Sequence, residues 1–152
     1  MENRFTEKCV PFNELTVHEL YEILRLRLEV FVIEQKSFFV DADRLDQIAY
    51  HLLLFDENGL LAGYTRMFDR NHPYPGYLSI GRVVVHPDYR NKKCGQLLMA
   101  KSINKVKELF GHHPIKIGAQ GYAKGFYTSL GFNDVGEYYL EDGVPHLKMV
   151  MD

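Results

Sequence analysis

The sequence predicts one α/β domain over residues 1–152, built on a mixed, mostly antiparallel sheet. Three observations carry that reading. Short β-branched and aromatic runs alternate with helical stretches of 3.6-residue period. An Asn58-Gly59 turn joins two apolar runs directly, which makes an antiparallel hairpin. Elsewhere helices separate the runs, and such crossovers permit parallel neighbours.

The first strand is expected at Thr6–Pro11. A helix starts after Thr16, where Thr16 and Glu19 have capping-box spacing and Leu15 and Leu20 can staple the entry. It runs to about Ile33, with Leu20, Ile23, Leu24 and Phe31 inward. Residues 34–48 are irregular and acidic. Strands follow at Ala49–Phe55 and Leu60–Phe68, around the turn Asp56-Glu57-Asn58-Gly59. Two prolines and a glycine make 70–76 a loop, and Tyr77–Val85 is a fourth strand.

Gly95–Phe110 is a helix, because Met99, Ile103, Val106 and Phe110 fall on one face. Gly111 and Pro114 stop it. A strand at Ile115–Ala119, a short helix at Tyr122–Leu130 ended by Gly131, and a strand pair at Phe132–Leu140 and His146–Met151 complete the chain. The order is β-α-β-β-β-α-β-α-β-β. No repeat, low-complexity tract or linker interrupts it.

Composition narrows the function. The chain is 46% hydrophobic and 25% charged, ordinary for a soluble domain, and its net charge of -2 opposes bulk nucleic-acid binding. Two cysteines, Cys9 and Cys94, make neither a disulfide framework nor a Cys-rich zinc site. The N-terminal stretch MENRFTEKCV lacks an apolar signal region, and no apolar run approaches the ~18 residues of a membrane span. A cytoplasmic protein with no membrane partner is expected. His86, His112, His113 and His146 have no zinc-like spacing, so no metal is expected.

The stretch Val83-Val84-Val85-His86-Pro87-Asp88-Tyr89-Arg90-Asn91-Lys92-Lys93-Cys94-Gly95-Gln96 carries the chemistry. A strand stops at Pro87, which cannot donate to a ladder. A basic loop then opens into a helix. The first helical turn has unpaired N–H groups and partial positive charge, so an anion fits there, helped by Arg90, Lys92 and Lys93. An ordinary solvated loop is equally consistent with the local physics. The loop is neither a Walker A loop nor a dinucleotide fingerprint. A thiol at a helix N-terminus, as at Cys94, has a lowered pKa, so a nucleophile is conceivable there.

V-V-V-H-P-x-x-R-x-x-x-x-G-Q-L-L-M resembles the acetyl-coenzyme A signature of the GNAT N-acetyltransferases, [RQ]-x-x-G-x-[GA] after an apolar strand. Arg90 and Gly95 match it, and Lys93 stands where the middle glycine is usual. The run Ala123 to Phe132 is similar to the family's A-x-x-F-Y-x-x-x-G-F segment. Arg27 to Gln35, Ile80-Gly81-Arg82-Val83 and Glu141-Asp142-Gly143-Val144-Pro145-His146 look like the ElaA-like branch. The resemblance spans nearly the whole chain. It implies a central sheet of about six or seven strands flanked by about four helices, with strands four and five splayed.

The resemblance also implies an activity: direct transfer of an acetyl group from acetyl-coenzyme A to a primary amine in a ternary complex. A non-catalytic acyl-coenzyme A sensor is the alternative. The cofactor's pantetheine arm would lie along Val83, Val84 and Val85, with the Val83 amide polarising the thioester carbonyl. The pyrophosphate would sit on the amides of Arg90, Asn91, Lys92, Lys93, Cys94, Gly95 and Gln96. A lysine at 93 is expected to keep an ordinary backbone conformation and hold the phosphates farther out. Transfer in this family is direct, which argues against covalent catalysis through Cys94. Gln120 would contact the arm, and Tyr127 would protonate the leaving thiolate.

The base that deprotonates the amine is Glu34, His51, water alone, or Asp41 or Asp43 through water. Ser79 stands where some relatives carry an acid. Phe31, Glu34 and Arg82 would shape the acceptor pocket, and the acidic 34–48 segment would attract a cationic small-molecule or peptide amine. Phe38 and Phe39 wall that pocket or cap the core. The resemblance also implies a homodimer.

Overall fold

Thr16 Oγ1 accepts the Glu19 N–H at 3.0 Å, and the Glu19 carboxylate accepts the Thr16 N–H at 2.9 Å. This capping box starts α1, Val17–Arg27. The structure, a computed structural model, describes residues 4–152. α1 continues into a π-helical segment, Leu28–Glu34, so the helix ends close to the predicted position. The remaining elements fall within two residues of expectation at nearly every boundary: β1 Thr6–Pro11, β2 Tyr50–Phe55, β3 Leu61–Phe68, β4 Ser79–Val85, α2 Cys94–Phe110, β5 Ile115–Gln120, α3 Lys124–Ser129, β6 Asn133–Glu141 and β7 Val144–Met151.

The strands form two antiparallel sheets, β1-β2-β3-β4 and β5-β7-β6. One parallel bridge, Leu78 with Ile115, joins them. The Leu78 N–H donates to the Pro114 carbonyl and the Lys116 N–H donates to the Leu78 carbonyl. Past this point no ladder joins β4 to β5, which is the splay that the family resemblance implies. Among the described residues the α-helices number three, fewer than expected, and short 3-10 turns such as Gly121–Ala123 lie between elements.

The main core lies against α2. Leu98, Met99 and Val106 meet Leu52, Leu54 and Met67 of the first sheet and Ile117, Leu147 and Met149 of the second. A second core lies on the other face of the first sheet, where Ile23, Leu26 and Val30 cover Leu53, Tyr64 and Val84. Burial of these side chains contributes about 1.5–3 kcal/mol each.

Arg27 was not foreseen in the core. It is 0% exposed and binds Asp41 at 2.7 Å and Asp46 at 2.7 Å. Arg66 binds Asp43 at 2.8 Å and Asp46 at 3.0 Å. Arg82 binds Asp43 at 3.4 Å. Its Nε stands 2.9 Å from Asp41 Oδ1 without hydrogen-bond alignment, so that contact is ionic. Three guanidinium groups therefore neutralise three carboxylates and pin the irregular segment to β3 and β4. This corrects the expectation of an acidic segment free to attract amines.

Candidate active site

In the register of β3 and β4, Gly81 pairs with Arg66 and Val84 with Tyr64. Arg82 and Val83 together face Thr65, which makes a β-bulge. Arg82 takes φ 48°, an uncommon conformation for a side-chain-bearing residue. Its ion pairs with the aspartates hold it there. The bulge turns β4 away from β5, and the gap opens into a cleft of about 770 Å³.

The far end of the gap meets the start of α2. The Leu97 N–H donates to the Lys93 carbonyl, so the N–H groups of Cys94, Gly95 and Gln96 head the helix with no earlier turn to receive them. Lys93 is the N-cap residue and takes φ 59°, and Asn91 takes φ 63°. Lys93 thus adopts the left-handed conformation that a glycine would, contrary to expectation. The chain must reverse between β4 and α2 in a few residues, and that geometry overrides the lysine's preference. A Cβ at Gly95 would meet the Phe126 ring at 3.6 Å, an ordinary contact, so the helix start packs closely on α3.

Of the predicted residues, the cleft brings together Phe31, Arg82, Val83, Val85, Arg90, Asn91, Lys93, Cys94, Gly95, Gln96, Gln120 and Tyr127. Val84 and Glu34 line an adjoining hollow of about 420 Å³. Lys92 lines neither; its ammonium lies 5.5 Å over the Tyr89 ring. Phe39 walls the cleft beneath the Arg82 guanidinium, whereas Phe38 is exposed.

His51 is not brought to the cleft. It is fully buried, its Nδ1 is 2.6 Å from the Tyr64 hydroxyl and its Nε2 is 2.9 Å from the Asp46 carbonyl. The Asp46 carbonyl accepts the Nε2 proton, so Nδ1 accepts from Tyr64 and no lone pair is left for a substrate. Burial lowers its pKa further, which keeps it neutral. Glu34 is engaged as well, by the Arg90 guanidinium at 2.7 Å. Asp41 and Asp43 are held in the arginine cluster.

Cys94 departs from the expected lowered pKa. Its thiol is buried, and desolvation pushes its pKa up. Loss of solvation outweighs the helix N-terminus, so the thiolate is disfavoured. Tyr127 packs edge-on against Phe126 and Phe132, and burial raises its pKa. The phenol stays protonated at neutral pH. Gln120 forms a reciprocal amide pair with Gln35, at 3.0 and 3.3 Å, which ties the end of the first helix to β5.

The cleft also contains residues that sequence reasoning did not single out for it: Ser37, Gly118, Tyr122, Glu141, Asp142 and His146. The last three lie in the ElaA-like ending, whose residues the sequence assigned no role in this cleft.

A family model described as an acetyltransferase (GNAT) domain matches residues 23–152. A UPF0039 protein of Schizosaccharomyces pombe is 39% identical over 142 residues, 93% of each chain. Protein ElaA of Escherichia coli is 37% identical over 142 residues, 92% of each chain. Among solved structures, an acyl-CoA N-acyltransferase of Pseudomonas aeruginosa superposes with a TM-score of 0.91 at 35% identity, over 98% of this chain and 100% of that one. Escherichia coli ElaA superposes with a TM-score of 0.90 at 34% identity, over 98% of this chain and 100% of that one. With its splayed strands, bulged β4 and helix-capped loop, the chain belongs to the GNAT acetyltransferase family, in its ElaA-like branch.

Proposed function

We propose that this protein transfers an acetyl group from acetyl-coenzyme A directly to a primary amine. The observation that carries the reading is the continuity of one cleft from the bulged edge of β4 to the N–H groups of Cys94, Gly95 and Gln96. The residues present fit an extended, doubly charged ligand. Backbone of Val83, Val84 and Val85 receives the pantetheine arm. The α2 N-terminus, with Arg90, Asn91, Lys92 and Lys93 around it, receives the pyrophosphate. Gln120 and Tyr127 face the arm from the other side.

Bound acetyl-coenzyme A supplies an activated thioester. The chain's part is to align it and to stabilise charge that grows on its carbonyl oxygen. An amide at Val83 aimed at that oxygen stabilises the transition state more than the ground state. Tyr127, kept protonated by burial, donates to the departing sulfur. Phe31, Phe39 and Arg82 wall the acceptor end, with Arg82 fixed by its aspartate partners. Glu34, taken up by Arg90, serves the rim of the cleft rather than proton abstraction. A cytosolic homodimer belongs to the same reading, as does the absence of a nucleic-acid partner at a net charge of -2.

Calorimetric titration with acetyl-coenzyme A, beside a Gly95→Glu control, tests the proposal. Micromolar binding that the control abolishes is expected, because a carboxylate at Gly95 meets the pyrophosphate with like charge. Equal affinity in both proteins refutes the phosphate site. Binding without turnover on any amine favours the non-catalytic sensor.

A further inference from the structure

The geometry points to His146 as the base that deprotonates the acceptor amine; this rests on the acetyl-transfer reading above. His146 lies on β7, opposite Gln120 of β5 and Tyr139 of β6, and lines the cleft while only 9% exposed. Its Nδ1 lies 2.8 Å from the Val144 carbonyl. A carbonyl only accepts, so Nδ1 carries the proton in the neutral ring. The lone pair is then on Nε2. His51 differs in that both of its nitrogens are held by buried partners inside the core.

Nε2 stands 3.3 Å from Glu141 Oε2. A bare Nε2 and a carboxylate are both acceptors, so Glu141 pairs with Nε2 only in the imidazolium. Glu141 is more than half exposed and also lines the cleft, so its carboxylate turns to solvent when the ring is neutral and leaves Nε2 to a substrate. Asp142 lines the cleft beside it. These two carboxylates, unlike those of the arginine cluster, have no arginine partner among the described residues. They supply the negative potential that draws a cationic amine to Nε2.

The charged and titratable groups facing His146 are few. From β6 they are Glu141 and Tyr139, whose ring is 5.4 Å away. From β7 there is Lys148, whose ammonium lies 4.2 Å from the Tyr139 ring and 3.0 Å from the Tyr74 hydroxyl. β5 presents the uncharged Gln120 and Gly118. The Tyr139 ring stands between that lysine and the imidazole.

Nε2 takes one proton from R–NH3+, leaving R–NH2 with a free electron pair. That nitrogen bonds to the thioester carbonyl carbon, and the C–S bond breaks with its pair on sulfur. Tyr127 protonates the sulfur and is restored by the second proton that the nitrogen gives up. The imidazolium returns its proton to solvent.

The test compares wild type with His146→Asn, which keeps a donor toward the Val144 carbonyl and lacks Nε2. The probes are acetyl-coenzyme A with a diamine, an arylethylamine, an amino sugar and a peptide α-amine. With the best acceptor, kcat/KM at pH 7 is expected to fall about 10²-fold in the variant. The deficit narrows as rising pH deprotonates the amine itself, and acetyl-coenzyme A affinity by calorimetry is retained. Glu141→Gln lowers kcat/KM with the cationic acceptors, and the acid limb of the wild-type profile is lost in His146→Asn. Long-range proton–nitrogen spectra of the wild type show His146 protonated at Nδ1 and bare at Nε2. An unchanged rate and limb in His146→Asn, or an Nε2–H tautomer, overturns the base alone. No acetyl transfer by the wild type to any probe overturns the activity, and the base with it. Should His146→Asn fail to fold, the wild-type spectrum and the Glu141→Gln rate decide.

Discussion

Arg90 and Glu34, separated by 56 residues, form a two-point ion pair at the mouth of the cleft, Nη1 to Oε1 at 2.7 Å and Nη2 to Oε2 at 2.9 Å. The contact ties the end of the first helix to the loop between β4 and α2. It also occupies the one guanidinium of that loop. The pair is partly solvated on both sides, so it contributes only about 0–1 kcal/mol to stability.

Glu34→Gln is therefore expected to leave Tm almost unchanged while freeing Arg90. Acetyl-coenzyme A then binds more tightly, by a few-fold, and the gain fades at high salt. Titration calorimetry at two ionic strengths reads this. A large loss of kcat with unchanged binding would instead return Glu34 to the role of base.

Lys93→Gly relieves a left-handed lysine at the α2 N-cap. A gain of up to about 1 kcal/mol is expected, or roughly 2–4 °C in Tm. Binding weakens modestly through the lost charge, with a shallower salt dependence. Loss of stability in thermal denaturation would show that the lysine side chain, rather than the backbone, holds the loop.

Arg27→Met leaves Asp41 and Asp46 buried beside one fewer cation. Removing one partner of such a cluster costs about 3–5 kcal/mol. A Tm drop of roughly 10 °C or more is expected. A drop of under 2 °C contradicts the role assigned to the cluster.

The same cluster sets the acid response. Its arginine contacts hold Asp43 down to about 2, and Arg27 and Arg66 lower Asp46 below the usual carboxylate range. Groups with depressed folded pKa values contribute fully above their unfolded values, near pH ~4. That contribution is lost as pH falls from there toward about 2. Urea midpoints should stay level above pH 5 and fall steeply below pH ~4. A flat profile down to pH 3 would show that the cluster contributes little.

Tyr127→Phe keeps the ring contacts with Phe126 and Phe132 and removes only the hydroxyl. A fall in kcat of about 10²-fold with unchanged cofactor affinity is expected. Unaltered kcat removes Tyr127 as proton donor.

Local chemistry made most of the fold legible. The capping box at Thr16 and Glu19, the Asn58-Gly59 turn and the apolar stripe of α2 each act within a few residues, so composition and period suffice to place them. The loop between β4 and α2 was legible for the same reason: Pro87 stops the strand and the apolar stripe of α2 marks the helix that follows. Much of the acceptor end was not. Which of the six carboxylates Glu34, Asp41, Asp43, Asp46, Glu141 and Asp142 remain free depends on where Arg27, Arg66, Arg82 and Arg90 reach, and those contacts span up to 56 residues.

The two histidines show the division most clearly. As sequence, His51 and His146 are both single imidazoles on strands, and nothing in their neighbours separates them. The amino-acid order alone determined the strands that carry them, the helix whose N-terminus faces the cleft and the family they belong to. Only the tertiary structure decided that β2 carries His51 into the core, against Tyr64 and Asp46, while β7 presents His146 to the cleft. Proton chemistry needs a lone pair that no buried partner holds, and that is settled by packing between distant segments.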